Sequence, residues 1–289
     1  MEQGSIVNIL INITTAALGK IFWTLTTNMG LVERAKPIIN MKQEFLYEKL
    51  LLTENKKNYA GIITAELGHK LKKPVLDIKG LPILKKTSVP KVLRKQFTKL
   101  VDEDILKATK INLKQIIDKY DTIELMIEES IRRGDVEYLL PKNLELIESY
   151  KTPDTIEAVR GVLIWNACEP ENQIVPPEKI SLLKLNAVDE HDPRFEELKN
   201  NYPDKYNAIM KVVFNHGVAN PKIDISRFGL SCIAIPKGEE SIPEYLRPFI
   251  DYKSMVNTNM APSFILLKSL GVYCDDVKTV KYKSNIISI

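Results

Sequence analysis

With 289 residues, 44% of them hydrophobic and 27% charged, the chain has enough apolar side chains for an ordinary soluble core in one or two domains. Three widely separated cysteines (Cys168, Cys232, Cys274) exclude a disulfide framework. With His69, His191 and His216 they give no metal-ligand spacing, and the net charge of +4 excludes a uniformly basic chain. A reducing cytoplasm is the expected compartment, and no signal peptide is read at the start.

Residues 6–25 are the most apolar run. Asn8, Asn12, Thr14, Thr15 and Lys20 interrupt it, which makes it too polar for a membrane span. Its apolar side chains nearly encircle a helix, and such a helix has to be covered. Two covers are open, its own domain or a separate chain. Residues 29–37 read as a loop. Residues 59–66 and a strand at 75–78 flank Gly68 and predict a hairpin, whose ends place lysines at a surface. From Pro90 the pattern turns helical, with Ser88 as the expected N-cap. The first helix runs through Phe97 to Val101, a second covers 105–119, and a third covers 122–132 and stops at Gly134.

Residues 158–166 are nearly continuously apolar and predict a strand buried on both faces. Another strand is expected at 180–185, with Pro170, Pro176 and Pro177 forbidding regular pairing between the two. Asp189-Glu190-His191-Asp192 reads as an acidic surface loop, with a metal site as the alternative. A helix is expected over 195–213, then turns at Gly217, Asn220 and Pro221, and a short strand over 229–236. Helices over 243–251 and 259–270 follow, the last closed by Gly271. Residues 275–289 read as a frayed end. The fold class is therefore α+β.

Charge is concentrated in one segment. Residues 42–99 hold 14 basic and 5 acidic side chains, a local balance of +9, so the remainder of the chain is net acidic. Lysines cluster there beside Tyr59, Gly61, Gly80, Thr87 and Ser88. Cations, hydroxyls and bare amides are what a phosphate backbone requires, and a field of one sign confined to one segment points to an anionic polymer. A solvated lysine-rich face is the plainer reading.

Four motifs in order resemble family B DNA polymerases. Lys56-Lys57-Asn58-Tyr59 resembles the K-K-x-Y motif of the late palm, which touches the primer near its 3′ end. Lys79-Gly80 followed by Thr87-Ser88-Val89-Pro90-Lys91 resembles the entry into the thumb. Val159-Arg160-Gly161-Val162-Leu163-Ile164-Trp165-Asn166 resembles the R-G-x-L-x-x-N thumb strand. Cys232–Pro236 with Pro248–Tyr252 resembles the C-terminal thumb of polymerases from large tailed phages. Together they cover about residues 38–272. The family implies a strand leading into Lys56, and a division into the C-terminal part of the palm (1–86), the thumb (87–274) and a flexible tail (275–289). The palm part would hold a β-hairpin, and the thumb would be mainly helical with a small β subdomain.

The family's catalytic motifs D-x-x-S-L-Y-P and Y-x-D-T-D-S, and its nucleotide-binding K-x-x-x-N-S-x-Y-G, are not in this sequence. The resemblance therefore implies part of a split, bacteriophage-type polymerase with no catalytic residue or metal ligand of its own. Magnesium would be bound by a separate chain that carries the fingers, the catalytic palm and the exonuclease. The partners implied are a primer-template duplex, that chain, and a sliding clamp for the tail; the compartment would be the host cytoplasm. By resemblance Lys57 reaches the minor groove and Tyr59 positions the primer-terminal backbone. Lys56, Lys79, Lys85, Lys86 and Lys91 carry backbone charge, Thr87 and Ser88 donate to phosphate oxygens, and Gly80 lets the backbone come close. Asn58 stands where the family has Arg, and Arg160 is matched without an assigned role. Two other readings stay open. One is a stand-alone nucleic-acid-binding protein derived from a thumb; the other is an enzyme of another class using Asp189, His191 or Asp192.

Overall fold

The computed structural model describes residues 3–28, 44–219, 221–272, 274–276 and 279–280. Among these the fold is mixed α and β, about half of it helical, as the sequence predicts. It divides into two compact units, Met1–Leu52 with Lys57–Lys79, and Thr53–Lys56 with Gly80–Ile289. The loop expected at 29–37 lies outside the described residues.

The first unit opens with helix α1, Gln3–Asn28. The expected helix is present, and among the described residues several of its apolar side chains are exposed. Ile9, Leu10, Ile13, Ile21, Phe22 and Leu25 are between 41% and 61% exposed. Among the described residues no helix is long and apolar enough to cross a membrane. Three antiparallel strands follow in the order β1 (Phe45–Leu52), β2 (Tyr59–Glu66) and β3 (His69–Lys79). Leu67 and Gly68, both at positive φ, make the tight β2–β3 turn that Gly68 predicts. β3 is longer than the expected 75–78 and runs through Pro74. An edge strand tolerates a residue with no N–H to give the ladder.

The second unit begins with the short helix α2 (Pro82–Lys85) and with α3 (Lys91–Lys99), which widens into π-helical turns over Leu100–Leu106. The helices expected over 105–119 and 122–132 are instead one element, α4 (Leu113–Arg133). The break falls at residues 107–112, where the Asn112 side chain accepts the Gln115 N–H and caps α4. Ile116, Ile117, Tyr120, Ile123, Ile127 and Ile131 form its buried stripe, which explains why it is continuous. Gly134, at φ 91, ends it as expected.

A second sheet has the order β4 (Leu140–Leu144), β5 (Glu178–Val188) and β6 (Leu230–Pro236), all antiparallel. β5 and β6 are the strands expected; β4 was not read from the sequence. The predicted strand at 158–166 is helix α5, Glu157–Cys168. Its apolar run is continuous because the helix is buried nearly all round, and a run this long accommodates a helix better than a strand. Gly161 makes the packing possible: a β-carbon there would lie 2.6 Å from the Ala234 nitrogen and 2.9 Å from the Ile233 carbonyl carbon, both on β6. The helix expected over 195–213 is two, α6 (Arg194–Asn201) and α7 (Pro203–Val213), because Pro203 cannot continue a helix but can start one. Residues Glu244–Phe249 form a 3₁₀ helix within the expected 243–251, α9 (Phe264–Ser269) lies within the helix expected over 259–270, and α8 (Tyr252–Met260) was not read from the sequence. A small ribbon pairs β7 (Cys274–Asp276) with β8 (Thr279–Val280).

Gly161→Ala tests the packing of α5 on β6. Alanine is the better helix former, yet overpacking against backbone is expected to destabilise the chain by about 2 kcal/mol. A urea midpoint that is unchanged or raised would contradict the close approach.

Candidate nucleic-acid interface

Residues 53–58 join β1 to β2, and Lys56 and Lys57 form the turn at their centre, both exposed. Lys57 sits at φ 65, in the left-handed region that non-glycine residues seldom adopt. Tyr59 is the first residue of β2. Its ladder partners are Leu52, the last residue of β1, and Lys79, the last residue of β3. The register therefore gathers Lys57, Tyr59 and Lys79 at one end of the sheet, with Lys56 and Gly80 bonded next to them in the chain. This is the open end of the hairpin expected around Gly68, whose ends are expected to place lysines at a surface. The Gly68 turn is at the opposite end, where the exposed cationic side chains are Lys70, Lys72 and Lys73.

On the face shared by Tyr59, Gly61 and Asp77, the Tyr47 ring lies across β2. Its hydroxyl donates to Asp77 Oδ2 at 2.7 Å and stands 3.3 Å from the Tyr59 hydroxyl. The Tyr47 and Tyr59 rings meet edge to face, with centroids 5.9 Å apart and planes at 82°. Gly61 leaves the room: a β-carbon there would lie 2.6 Å from Tyr47 Cδ1 and 2.9 Å from Leu50 Cδ1. Desolvation, then the bonds to Tyr59 and Asp77, push the Tyr47 hydroxyl far above the ordinary tyrosine range, so it remains a donor at any working pH. Tyr59 itself is half-buried.

The second unit carries the other expected contacts on one turn. Gly80, at φ 68, bends the chain out of β3, a conformation that favours glycine. Leu81, Ile83 and Leu84 before the turn and Val89 and Pro90 after it are buried, whereas Lys85, Lys86, Thr87 and Ser88 are exposed. The amides of Lys86 and Val89 are committed to the carbonyls of Pro82 and Lys86. Among the described residues those of Thr87 and Ser88 have no partner. Ser88 is not the N-cap of α3; Pro90 holds that position, with no side-chain bond. Thr87 and Ser88 thus present their amides from a turn, not from a helix start. Lys95 and Lys99, which the sequence reading counted only in the charge balance, are exposed as well. With Lys91 they recur every four residues on the exposed side of α3, opposite buried Leu93 and Phe97, and span about 12 Å. Helical spacing from Lys91 was the signal. Lys99 also lies 3.9 Å from Glu103.

The remaining motif residues hold the fold. Arg160 is buried; its Nη1 donates to the Asp154 carbonyl at 3.0 Å, and its guanidinium lies 4.0 Å over the Phe228 ring. Asn166 clasps Ile174 through both amide groups, and Trp165 Nε1 donates to the Asn172 carbonyl. R-G-V-L-I-W-N thus anchors α5 and the segment that leads to β5. At the acidic loop, Asp192 is engaged by Arg194, whose guanidinium holds the Asp192 carboxyl below its usual range, and Glu190 reaches His216 at 2.6 Å. Among the described residues no three His, Cys, Asp or Glu side chains converge as metal donors.

A family model of divergent family B DNA polymerases matches residues 1–286. The chain belongs to that family, and its role is accordingly polymerase-related. Nothing among curated proteins matches it.

Lys57→Gly tests the turn geometry. Glycine relieves the left-handed conformation at the expense of more chain entropy on folding, so stability is expected to hold or to rise by up to about 1 kcal/mol. A fall larger than that in urea unfolding would contradict the backbone assigned to Lys57.

Proposed function

We propose that this chain is the duplex-holding part of a family B DNA polymerase, with residues 1–86 as late palm, 87–274 as thumb and 275–289 as tail. The observation that carries the reading is the strand register, which gathers Lys57, Tyr59 and Lys79 at one open end of a sheet. Lys57 reaches the minor-groove acceptors that every correct base pair presents, purine N3 or pyrimidine O2. Tyr59 meets the primer-terminal backbone. Lys56, Lys79, Lys85, Lys86 and Lys91 neutralise phosphates, with Thr87 and Ser88 as donors and Gly80 allowing close approach.

The sequence holds neither of the family's catalytic-carboxylate motifs. We therefore assign the metal ions and the catalytic carboxylates to another polypeptide, one that also bears the fingers and exonuclease. The exposed apolar side chains of α1 support a surface for that polypeptide. A sliding clamp at the tail remains the further partner proposed. In its alternative role, as a stand-alone DNA-binding protein, the chain would grip duplex without such a partner.

Five phosphate contacts give a slope of about −4.5 in log affinity against log salt, so duplex affinity is expected to fall roughly 500-fold between 50 and 200 mM salt. A flat titration would remove the electrostatic grip. In the reconstituted enzyme, Lys57→Ala is expected to impair primer extension more than Lys86→Ala, and the chain alone should incorporate no nucleotide. Equal small effects would show the motif match to be accidental. Metal-dependent extension by the purified chain would place a catalytic centre here after all.

A further inference from the structure

We propose that Tyr47 and Asp77 are positioning residues for Tyr59, forming a fixed brace beneath the primer-terminal contact; this rests on the duplex reading above. The Tyr47 hydroxyl has one proton, and the 2.7 Å bond to Asp77 Oδ2 takes it. The Tyr59 hydroxyl oxygen stands 3.3 Å from the Tyr47 hydroxyl, where it can only accept, and the contact is long and hence weak. The Tyr59 proton is thus not taken up by Tyr47 and stays available to an acceptor such as a phosphate oxygen. Meanwhile the Tyr59 ring stays in place, because the edge of a neighbouring ring 5.9 Å away is pinned at its own far end.

Three strands supply the parts: Tyr47 from β1, Tyr59 and Gly61 from β2, and Asp77 from β3. The brace therefore forms only in this register. Gly61 is its enabling residue, since a β-carbon at that position would collide with the Tyr47 ring. An aromatic pair fixed only by packing would need neither the carboxylate nor the missing side chain.

The test is a coupling measurement on the full chain, reading affinity for a primer-template duplex and urea stability on each variant. Tyr47→Phe keeps the ring and removes its anchor; it is expected to weaken duplex binding about three- to tenfold. In a Tyr59→Ala background the same change is expected to have no effect, because nothing remains to be positioned. Asp77→Asn keeps an acceptor for Tyr47 and is expected to bind within twofold of the parent, whereas Asp77→Leu should match Tyr47→Phe. Equal losses from Tyr47→Phe in both backgrounds, or lower stability with unchanged affinity of the folded chain, would overturn the brace and leave the duplex contact standing. An inert Tyr59→Ala would overturn the contact itself.

Discussion

The pairing of β2 with its two neighbours is the constraint on which the rest depends. Side chains alternate across a strand, so a slip of one residue would send Tyr59 and Lys79 to the opposite face. The register is pinned by Gly61, which alone on this strand lets an aromatic ring cross from β1 and be caught by a carboxylate on β3. Once it is set, Lys57 stands at the sheet end, Tyr59 beside it and Lys79 opposite, with Gly80 turning the chain away. Lys57 itself occupies a backbone conformation that costs free energy for any residue other than glycine.

The exposed turn at residues 85–88 obeys a related logic. Buried Ile83, Leu84, Val89 and Pro90 hold its two ends, so four exposed residues are fixed without side-chain packing of their own. A turn built that way offers two lysines, two hydroxyls and two unpartnered amides with little ordering entropy left to lose on binding. In the proposed interface its charge adds to that of Lys91, Lys95 and Lys99 along α3.

Much of this was legible in the sequence where local chemistry decides structure. Gly68 and Gly134 marked a turn and a helix end because both need positive φ. The +9 balance of residues 42–99 marked a segment most of whose described lysines are exposed. Tertiary context hid the rest. Residues 158–166 satisfied the pattern of a buried strand as well as that of a buried helix, and only the fit of Gly161 against β6 decides between them. The break at 107–112 and the restart at Pro203 were written in Asn112 and Pro203, but the apolar periodicity around them masked the signal. Tyr47 could not have been found: its partner Asp77 is thirty residues away, and Gly61 gave no hint that its missing side chain makes room for a ring.

Photo-cross-linking from the primer terminus addresses the central claim most directly. A primer-template duplex carrying 4-thiothymidine as its last primer nucleotide would be irradiated with the full chain, and the adducts mapped by mass spectrometry. The account predicts adducts on peptides containing residues 56–59 and 79–80. Adducts confined to α4 or to the second sheet, with none at Lys57 or Tyr59, would contradict it.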